Sequence, residues 1–306
     1  MLIGQQFKDG LKNMAKFAKP KTQAHNVIKG LTKSKLIKSL GTARNYEQSL
    51  NTVASWAKDI GINGIQAMTI DQALNYLDYR KEIVGQKSLD MERQAIQAMM
   101  RLNGRLKDKQ TLPVIKSINQ QILKSRAYTT EQAQIISKHQ TSKYSLSTQI
   151  ALSAGLRAHE LLTIAKVEER KADKRPAFDS KWSGRNGVLY TVTGKGGLTR
   201  EVLIPHDLSA KLELRKFKQP VTVVDRKINY LQRYDIGGGK EWSDSFNKAS
   251  NRTISFSNGA HGLRHSYAQE RLLELILNQY PYQIALETVS QEMGHFRSEI
   301  TEVYLR

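Results

Sequence analysis

Cysteine is absent from the 306 residues of this chain, which excludes disulfide bonds, thiolate zinc sites and a cysteine nucleophile. Long apolar runs are also absent: no stretch approaches the roughly 20 residues that a helix needs to cross a bilayer. Mean hydropathy is −0.52. The N-terminal stretch MLIGQQFKDGLKNMAKFAKPK lacks the apolar core and small-residue cleavage site of a secretory signal. These absences predict a cytoplasmic protein with no membrane partner.

Acidic residues are few relative to basic ones. Asp and Glu number 28 against 48 Lys and Arg, which gives a net charge of +20 and a pI near 9.9. Such a charge favours a polyanionic partner, because each phosphate that a protein neutralises releases condensed counterions. A basic surface that serves only solubility, or one that meets an anionic membrane, is the alternative. The charge criterion favours nucleic acid.

The basic excess is greatest in residues 1–41, where Asp9 is the only acid. We predict that this segment is an arm that lies along DNA, with a solvated tail as the alternative. The lysines expected to meet phosphates are Lys12, Lys16, Lys19, Lys21, Lys33, Lys35 and Lys38.

Helical periodicity dominates residues 42–125. Leu50, Val53 and Ala57 belong to one apolar stripe, and Thr69 with Gln72 has the pattern of a capping box. We therefore predict a compact helical, DNA-binding domain here.

Residues 126–306 have a mixed pattern. Helices are predicted over 130–140, over 144–165, and from about 260 to the end, while VLYTVTGKGGLTREVLIP predicts two strands around a glycine-rich turn. The predicted fold class is therefore α+β, mostly helical, with a small antiparallel sheet in the second domain.

Two motifs in the first half of this domain carry charged groups that suit a phosphate. ALSAGLRAHELLTI places Arg157 and Glu160 one helical turn apart, a pair that alone usually makes only a modest surface interaction. TVTGKGGLTREVLIP places Lys195 at the tip of the predicted hairpin, from which its ammonium could swing towards a ligand. It is not a nucleotide phosphate loop, because G-x-x-x-x-G-K-[ST] is missing.

Two further motifs lie near the end of the chain. In HGLRHSYAQERL, His261 and Arg264 project from one face of a helix, as do His261 and His265. The histidine pair has zinc spacing, but no Cys or neighbouring carboxylate completes a ligand set, so we expect no metal. GHFRSEITEVYLR places Tyr304 nine residues after His295.

Together these motifs resemble the tyrosine recombinase, or phage integrase, family. The matching pieces, in the family's order, are Arg157 in A-G-L-R-x-x-E-L, Lys195 in G-K-G, His261 and Arg264 in H-x-L-R-H-S, Gly294-His295, and Tyr304. The resemblance covers about 130–306. The preceding helical segment matches the family's core-binding domain in size and character only.

The resemblance implies that Tyr304 attacks a DNA phosphodiester and leaves a 3′-phosphotyrosine and a free 5′-hydroxyl. Covalent storage of the bond energy would allow rejoining without ATP. Arg157 and Arg264 would stabilise the charge of the transition state, a task that suits planar, always protonated guanidinium groups. No cofactor and no metal are expected.

The remaining roles are also implied by the resemblance. Lys195 would act as general acid on the departing 5′-oxygen, and His261 would take the tyrosine proton and return it. His295 would donate a hydrogen bond to the phosphate. Glu160 would orient an arginine or histidine, since a carboxylate facing a phosphate would repel it.

The expected function is site-specific recombination that integrates or excises a mobile element, in the cytoplasm at the nucleoid of a prokaryotic host. Expected partners are double-stranded DNA, further copies of the chain in a tetramer, and accessory DNA-bending or directionality proteins. A Xer-type dimer-resolving recombinase and a type IB topoisomerase-like enzyme are alternatives. A DNA-binding factor without catalysis is the alternative from another class.

Two features depart from the family pattern. Many members continue past the tyrosine with a segment that docks on a neighbouring protomer, whereas only Leu305 and Arg306 follow here, so protomer coupling stays open. The connection 166–187 is longer and more basic than in compact members. It is predicted either to contact DNA or to be a solvated insertion.

Overall fold

Two separately packed units make up the chain, one spanning residues 1–122 and the other 123–306. The structure, a computed structural model, describes residues 18–120, 124–194 and 196–306. Over these ranges, no helix combines the length and the apolar character that a membrane span requires.

The first unit is helical in its described part. Its helices are α1 (Pro20–Lys33), α2 (Leu40–Asp59), α3 (Ile70–Lys81) and α4 (Gln86–Leu102), with a 3-10 turn at Ile65–Ala67. The predicted stripe of α2 is buried at Leu50, Val53 and Ala57. The predicted capping box is confirmed: the Gln72 amide donates to Thr69 Oγ1 at 3.2 Å, and the Thr69 amide donates to Gln72 Oε1 at 2.9 Å.

Helix α1 falls inside the segment predicted as a basic arm. Its Ala24, Val27, Ile28 and Leu31 are buried in the same core as α2 and α4. The folded part of the first unit therefore begins before residue 42, the predicted boundary, because these four side chains form an apolar stripe at helical spacing.

The second unit combines helices with two small sheets. Its helices are α5 (Thr130–Lys138), α6 (Ser142–Ala154), α7 (His206–Glu213), α8 (Gly239–Ile254), α9 (Gly262–Leu277), α10 (Tyr282–Met293) and α11 (Ser298–Glu302), with a 3-10 turn at Glu160–Thr163. Its strands are β1 (Ala165–Lys166), β2 (Val188–Thr193), β3 (Thr199–Ile204), β4 (Lys216–Asp225) and β5 (Ile228–Tyr234).

The first sheet is antiparallel with the order β1-β2-β3. Tyr190 pairs with Val202, and both are buried in the main core of the unit. This sheet contains the predicted hairpin, so the predicted fold class is confirmed.

The second sheet is a two-stranded ribbon of β4 and β5, joined at a turn between Asp225 and Ile228. We did not predict it from the sequence. Most of β4 is exposed, whereas Tyr234 of β5 is buried in the core. A second apolar cluster lies between α9 and α10 and includes the ring of Tyr304.

Candidate functional site

The turn after α6 positions Arg157. Gly155 has φ +59°, and a Cβ there would lie 2.6 Å from the ring of Tyr267, so this position requires glycine. The left-handed turn ends the helix at Ala154, and the prediction of one helix over 144–165 is therefore wrong. Arg157 lies in the irregular segment that follows, and Glu160 begins the 3-10 turn.

A fully buried carboxylate holds this segment in place. Glu160 accepts a hydrogen bond from the Arg157 amide at 2.8 Å and another from Arg157 Nη1 at 2.7 Å. It also pairs with Arg200 Nη2 of β3 at 2.9 Å. Burial alone would raise the pKa of Glu160, but the charges of Arg200, Arg264 and Arg157 outweigh burial and hold the pKa well below its usual range. Glu160 therefore orients Arg157 as an ionised group.

Helix α9 supplies the second arginine. His261 is its N-cap residue, and the Arg264 side chain is 0% exposed. Arg264 donates from Nη1 to the carbonyl of Gly155 and from Nη2 to the carbonyl of Met293 at 2.6 Å. The two carbonyls fix the plane of the guanidinium.

The end of α10 brings a histidine to the same guanidinium. Gly294 has φ +72°, and a Cβ there would lie 2.5 Å from Arg200 Cδ. His295 follows directly, with Nε2 2.9 Å from Arg264 Nη2 and Nδ1 3.1 Å from Thr301 Oγ1. The helix-ending glycine thus aims this imidazole at Arg264.

Tyr304, just after α11, lies among these groups. Its ring centroid is 5.0 Å from that of His295 and 5.5 Å from that of His261, and the Arg264 guanidinium carbon is 5.5 Å from the ring centre. The ring is buried. The predicted phenol, two imidazoles and second guanidinium are therefore in one cluster.

The charge states of the cluster follow from its surroundings. Burial and the charge of Arg264 lower the pKa of His295 to about 2, and burial followed by Arg264 also lowers the pKa of His261. Burial and the charge of Arg157 lower the pKa of Arg264 to about 10. Near neutral pH the imidazoles are therefore neutral and the guanidinium is charged, an arrangement that suits an anionic ligand beside neutral proton acceptors.

Not every predicted residue can be placed. Lys195 lies outside the described residues. Its neighbour Gly194 is close to the cluster, since a Cβ on it would lie 3.1 Å from Glu160 Oε1 and 3.8 Å from Arg157 Nη1. The root of the β2–β3 turn is therefore beside the first arginine.

The predicted DNA-binding lysines are in the first unit. Lys12 and Lys16 lie outside the described residues. Those that the structure places are all exposed: Lys19, Lys21, Lys33, Lys35 and Lys38. Their contact with DNA stays a prediction.

The connection 166–187 packs on the body of the second unit. The Trp182 amide donates to Glu292 Oε1 at 3.0 Å, and Ser180 Oγ lies 2.6 Å from Thr288 Oγ1. Arg185 donates to Glu274 Oε2 at 2.8 Å. These contacts with α9 and α10 show that a large part of the segment is anchored and does not extend freely into solvent.

Metal binding by the histidine pair was not expected, and this stays a prediction. Across the residues that the structure describes, no group of three His, Cys, Asp or Glu side chains is arranged to hold an ion. The rings of His261 and His265 are 5.8 Å apart.

We did not identify two buried groups, Arg200 and Arg271, from the sequence, and we considered His265 only as a zinc ligand. Arg200 joins Glu160 to the carbonyl of Glu292. His265 lies 4.7 Å, ring to ring, from Tyr304. Arg271 forms a buried ion pair with Glu292 at 3.0 Å. Arg200 lies five residues after Lys195 and His265 is next to Arg264, so their proximity to the motif residues was the available signal.

Solved structures of recombinases have folds similar to that of this chain. XerH site-specific recombinase bound to difH substrate is 17% identical with a TM-score of 0.54, and the match covers 94% of this chain and 81% of that one. Tn1549 transposon integrase with transposon right end DNA is 14% identical, with a TM-score of 0.53 and coverage of 93% and 94%. A lambda integrase dimer bound to a COC′ core site is 15% identical, with a TM-score of 0.57 and coverage of 92% and 77%. The chain has the tyrosine recombinase fold.

This likeness is one of structure. A scan against protein-family models finds no match, and a search of curated proteins finds none either. At identities of 14–17% the tyrosine recombinase fold is established, and the chemistry must be argued from the cluster around Tyr304.

Proposed function

We propose that this protein is a site-specific DNA recombinase that integrates or excises a mobile element through a 3′-phosphotyrosine intermediate. The observation that carries the proposal is the position of Tyr304 against Arg264 and His295. The three similar structures support it, because their proteins are a site-specific recombinase and two integrases, each bound to DNA.

Cleavage would proceed by in-line displacement at phosphorus. The Tyr304 phenol oxygen forms a bond to phosphorus while the bond from phosphorus to the 5′-oxygen breaks. His261, neutral in the folded protein, takes the phenol proton. In the reverse direction a 5′-hydroxyl attacks the phosphotyrosine, and the proton returns to the phenol. No bond energy is lost between the two steps, so none must be supplied by ATP.

Stabilisation of the transition state would fall to the two arginines. Arg264 and Arg157 are held by carbonyl and carboxylate partners before any ligand arrives, which is the condition for effective electrostatic catalysis. For His295 to add a hydrogen bond to a non-bridging oxygen, its Nε2 would have to carry the proton and exchange Arg264 for the phosphate. Such a set would supply the positive charge that many nucleases take from metal ions.

The departing 5′-oxygen needs a proton. We assign that step to Lys195, since Gly194 at the root of its turn lies against Glu160 and Arg157. A side chain on a glycine-rich turn can reach the leaving oxygen once DNA is bound.

Partners follow from the same proposal. The net charge of +20 and the exposed lysines of the first unit suit duplex DNA. Strand exchange between two duplexes would require four copies of the chain on DNA, with accessory DNA-bending or directionality proteins setting the outcome. The reaction would take place at the nucleoid, in the cytoplasm.

Covalent capture tests the assignment of the nucleophile. Nicked duplexes with randomised sequence trap the adduct, because the short strand released by cleavage diffuses away. The wild type and Tyr282→Phe, a control at an exposed tyrosine, should form a denaturant-resistant adduct. Tyr304→Phe should form none while its DNA affinity stays within about threefold.

An adduct formed by Tyr304→Phe would refute the assignment. Sequencing the captured DNA identifies the target site. Relaxation of supercoiled plasmid without any sequence preference would instead indicate a topoisomerase.

A further inference from the structure

Helix α9 carries a row of polar side chains that runs along the segment containing Tyr304. His261, His265 and Gln269 are spaced four residues apart and so share one face of the helix. The function proposed above uses only the first of them. The other two make the more direct contacts with Tyr304.

His265 has the shortest ring contact with Tyr304 among the three neighbouring imidazoles. The centroid distance is 4.7 Å, against 5.0 Å for His295 and 5.5 Å for His261. His265 is 5% exposed, so this ring contact is buried. It therefore packs directly against the ring of the proposed nucleophile.

One ring nitrogen of His265 supports a specific role. Nδ1 is buried and has no hydrogen-bond partner in the part of the chain that the structure describes. A buried polar atom without a partner costs about 1–3 kcal/mol. An apolar ring would avoid this cost, so a buried histidine against the ring of Tyr304 indicates a role other than stability.

Gln269 holds the main chain of Tyr304 one helical turn further on. Its Nε2 donates to the carbonyl of Tyr304 at 3.1 Å and to that of Arg306 at 2.9 Å. Leu305 packs on the apolar cluster that includes Ala268 and Leu272 of α9. Polar contacts and the apolar cluster thus both hold residues 304–306 against α9.

We propose that His265 and Gln269 are positioning residues that hold the Tyr304 phenol in line with the scissile phosphorus. The inference rests on the proposed function and adds two residues to it. Neither residue takes or gives a proton in the reaction. Both act through Tyr304, because a displacement of about 1 Å in the attacking atom can lower a rate about 100-fold.

The first experiment measures single-turnover adduct formation by the full chain on the captured target duplex. His265→Ala should form the adduct about 10- to 100-fold more slowly, and Gln269→Leu about 3- to 10-fold more slowly, with DNA affinity within about threefold of wild type. His206→Ala and Gln283→Leu, at exposed positions, are the matched controls and should react at the wild-type rate. Wild-type rates for both test variants would overturn the proposal.

The second experiment separates positioning of Tyr304 from activation of the phosphate. In a Tyr304→Ala background, hydrogen peroxide supplies the attacking oxygen. Adding His265→Ala should leave peroxide-driven cleavage unchanged, whereas adding Arg264→Ala should abolish it. An equal loss in both reactions would mean that His265 acts on the phosphate or on the fold, and the proposal would be wrong.

Two conservative variants keep the test valid if His265→Ala folds poorly. His265→Phe retains the ring contact and His265→Gln retains a hydrogen-bond donor, so each should form the adduct faster than the alanine variant and more slowly than wild type. Wild-type rates in both would refute the positioning role. An adduct formed by Tyr304→Phe is a different result, because it would refute the proposed function itself.

Discussion

Replacing Arg200 with methionine should destabilise the second unit. Arg200 has no proposed contact with DNA, so the effect should be on folding. Methionine keeps much of the length of the side chain and removes its charge. Arg200 is 5% exposed, pairs with Glu160 at 2.9 Å and donates from Nη1 to the carbonyl of Glu292 at 2.6 Å. The change therefore leaves a fully buried carboxylate without one of its two ion-pair partners.

The magnitude can be bounded from these contacts. Removing one partner of a buried pair costs about 3–5 kcal/mol, and an unsatisfied carbonyl about 1–3 kcal/mol. Glu160 keeps its ion pair with Arg157, whose side chain is 22% exposed. This remaining partner limits the free-energy cost of losing Arg200. We expect the free energy of unfolding of the second unit to fall by about 3–5 kcal/mol.

Hydrogen exchange of the full chain, read from peptides of α8 and α9, is the suitable assay, because two units need not unfold together. Lys181→Met is the control, since its 2.8 Å pair with Glu201 is partly exposed and should cost at most about 1 kcal/mol. The double variant Arg200→Met/Glu160→Gln should lose less than the sum of the single losses. A loss below about 1 kcal/mol for Arg200→Met would refute the argument.

Two further predictions concern pH and the proposed reaction. The pKa of His265 is lowered to about 4 by burial and the charge of Arg126, so between pH 6.5 and 4 only the unfolded chain takes up this proton. This group should therefore lower the free energy of unfolding by about 1.4 kcal/mol for each pH unit below 6.5. In urea unfolding, the free energy of His265→Phe should decline less steeply with falling pH than that of the wild type. Equal slopes for the two proteins would contradict the prediction. Arg264→Ala should abolish adduct formation with DNA affinity retained, while EDTA should leave wild-type cleavage unchanged; loss of cleavage on chelation would indicate a metal-dependent nuclease.

Elements that depend on residues close together in the sequence were predicted correctly. The capping box at Thr69 and the start of α5 at Thr129 form as their residue types imply, because both depend on contacts three residues apart. The β2–β3 hairpin likewise follows from alternating β-branched residues around glycines.

Features that depend on the rest of the fold escaped prediction. The β4–β5 ribbon contains Pro220 and turns on Arg226 and Lys227, both with positive φ, where glycine or asparagine is the usual signal. The predicted helix over 144–165 runs through Gly155, although contact with Tyr267 makes this glycine the end of a helix. Arg200 and His265 acquire their roles only from partners distant in sequence.

The two main-chain carbonyls that hold Arg264 have a consequence for recognition. Gly155 and Met293 belong to different segments, so the side chain loses its rotational freedom when the protein folds and not when a ligand arrives. Association with a phosphate then carries little further entropic cost at this residue. The guanidinium behaves as a rigid template, and the DNA backbone is the component that must adapt to it.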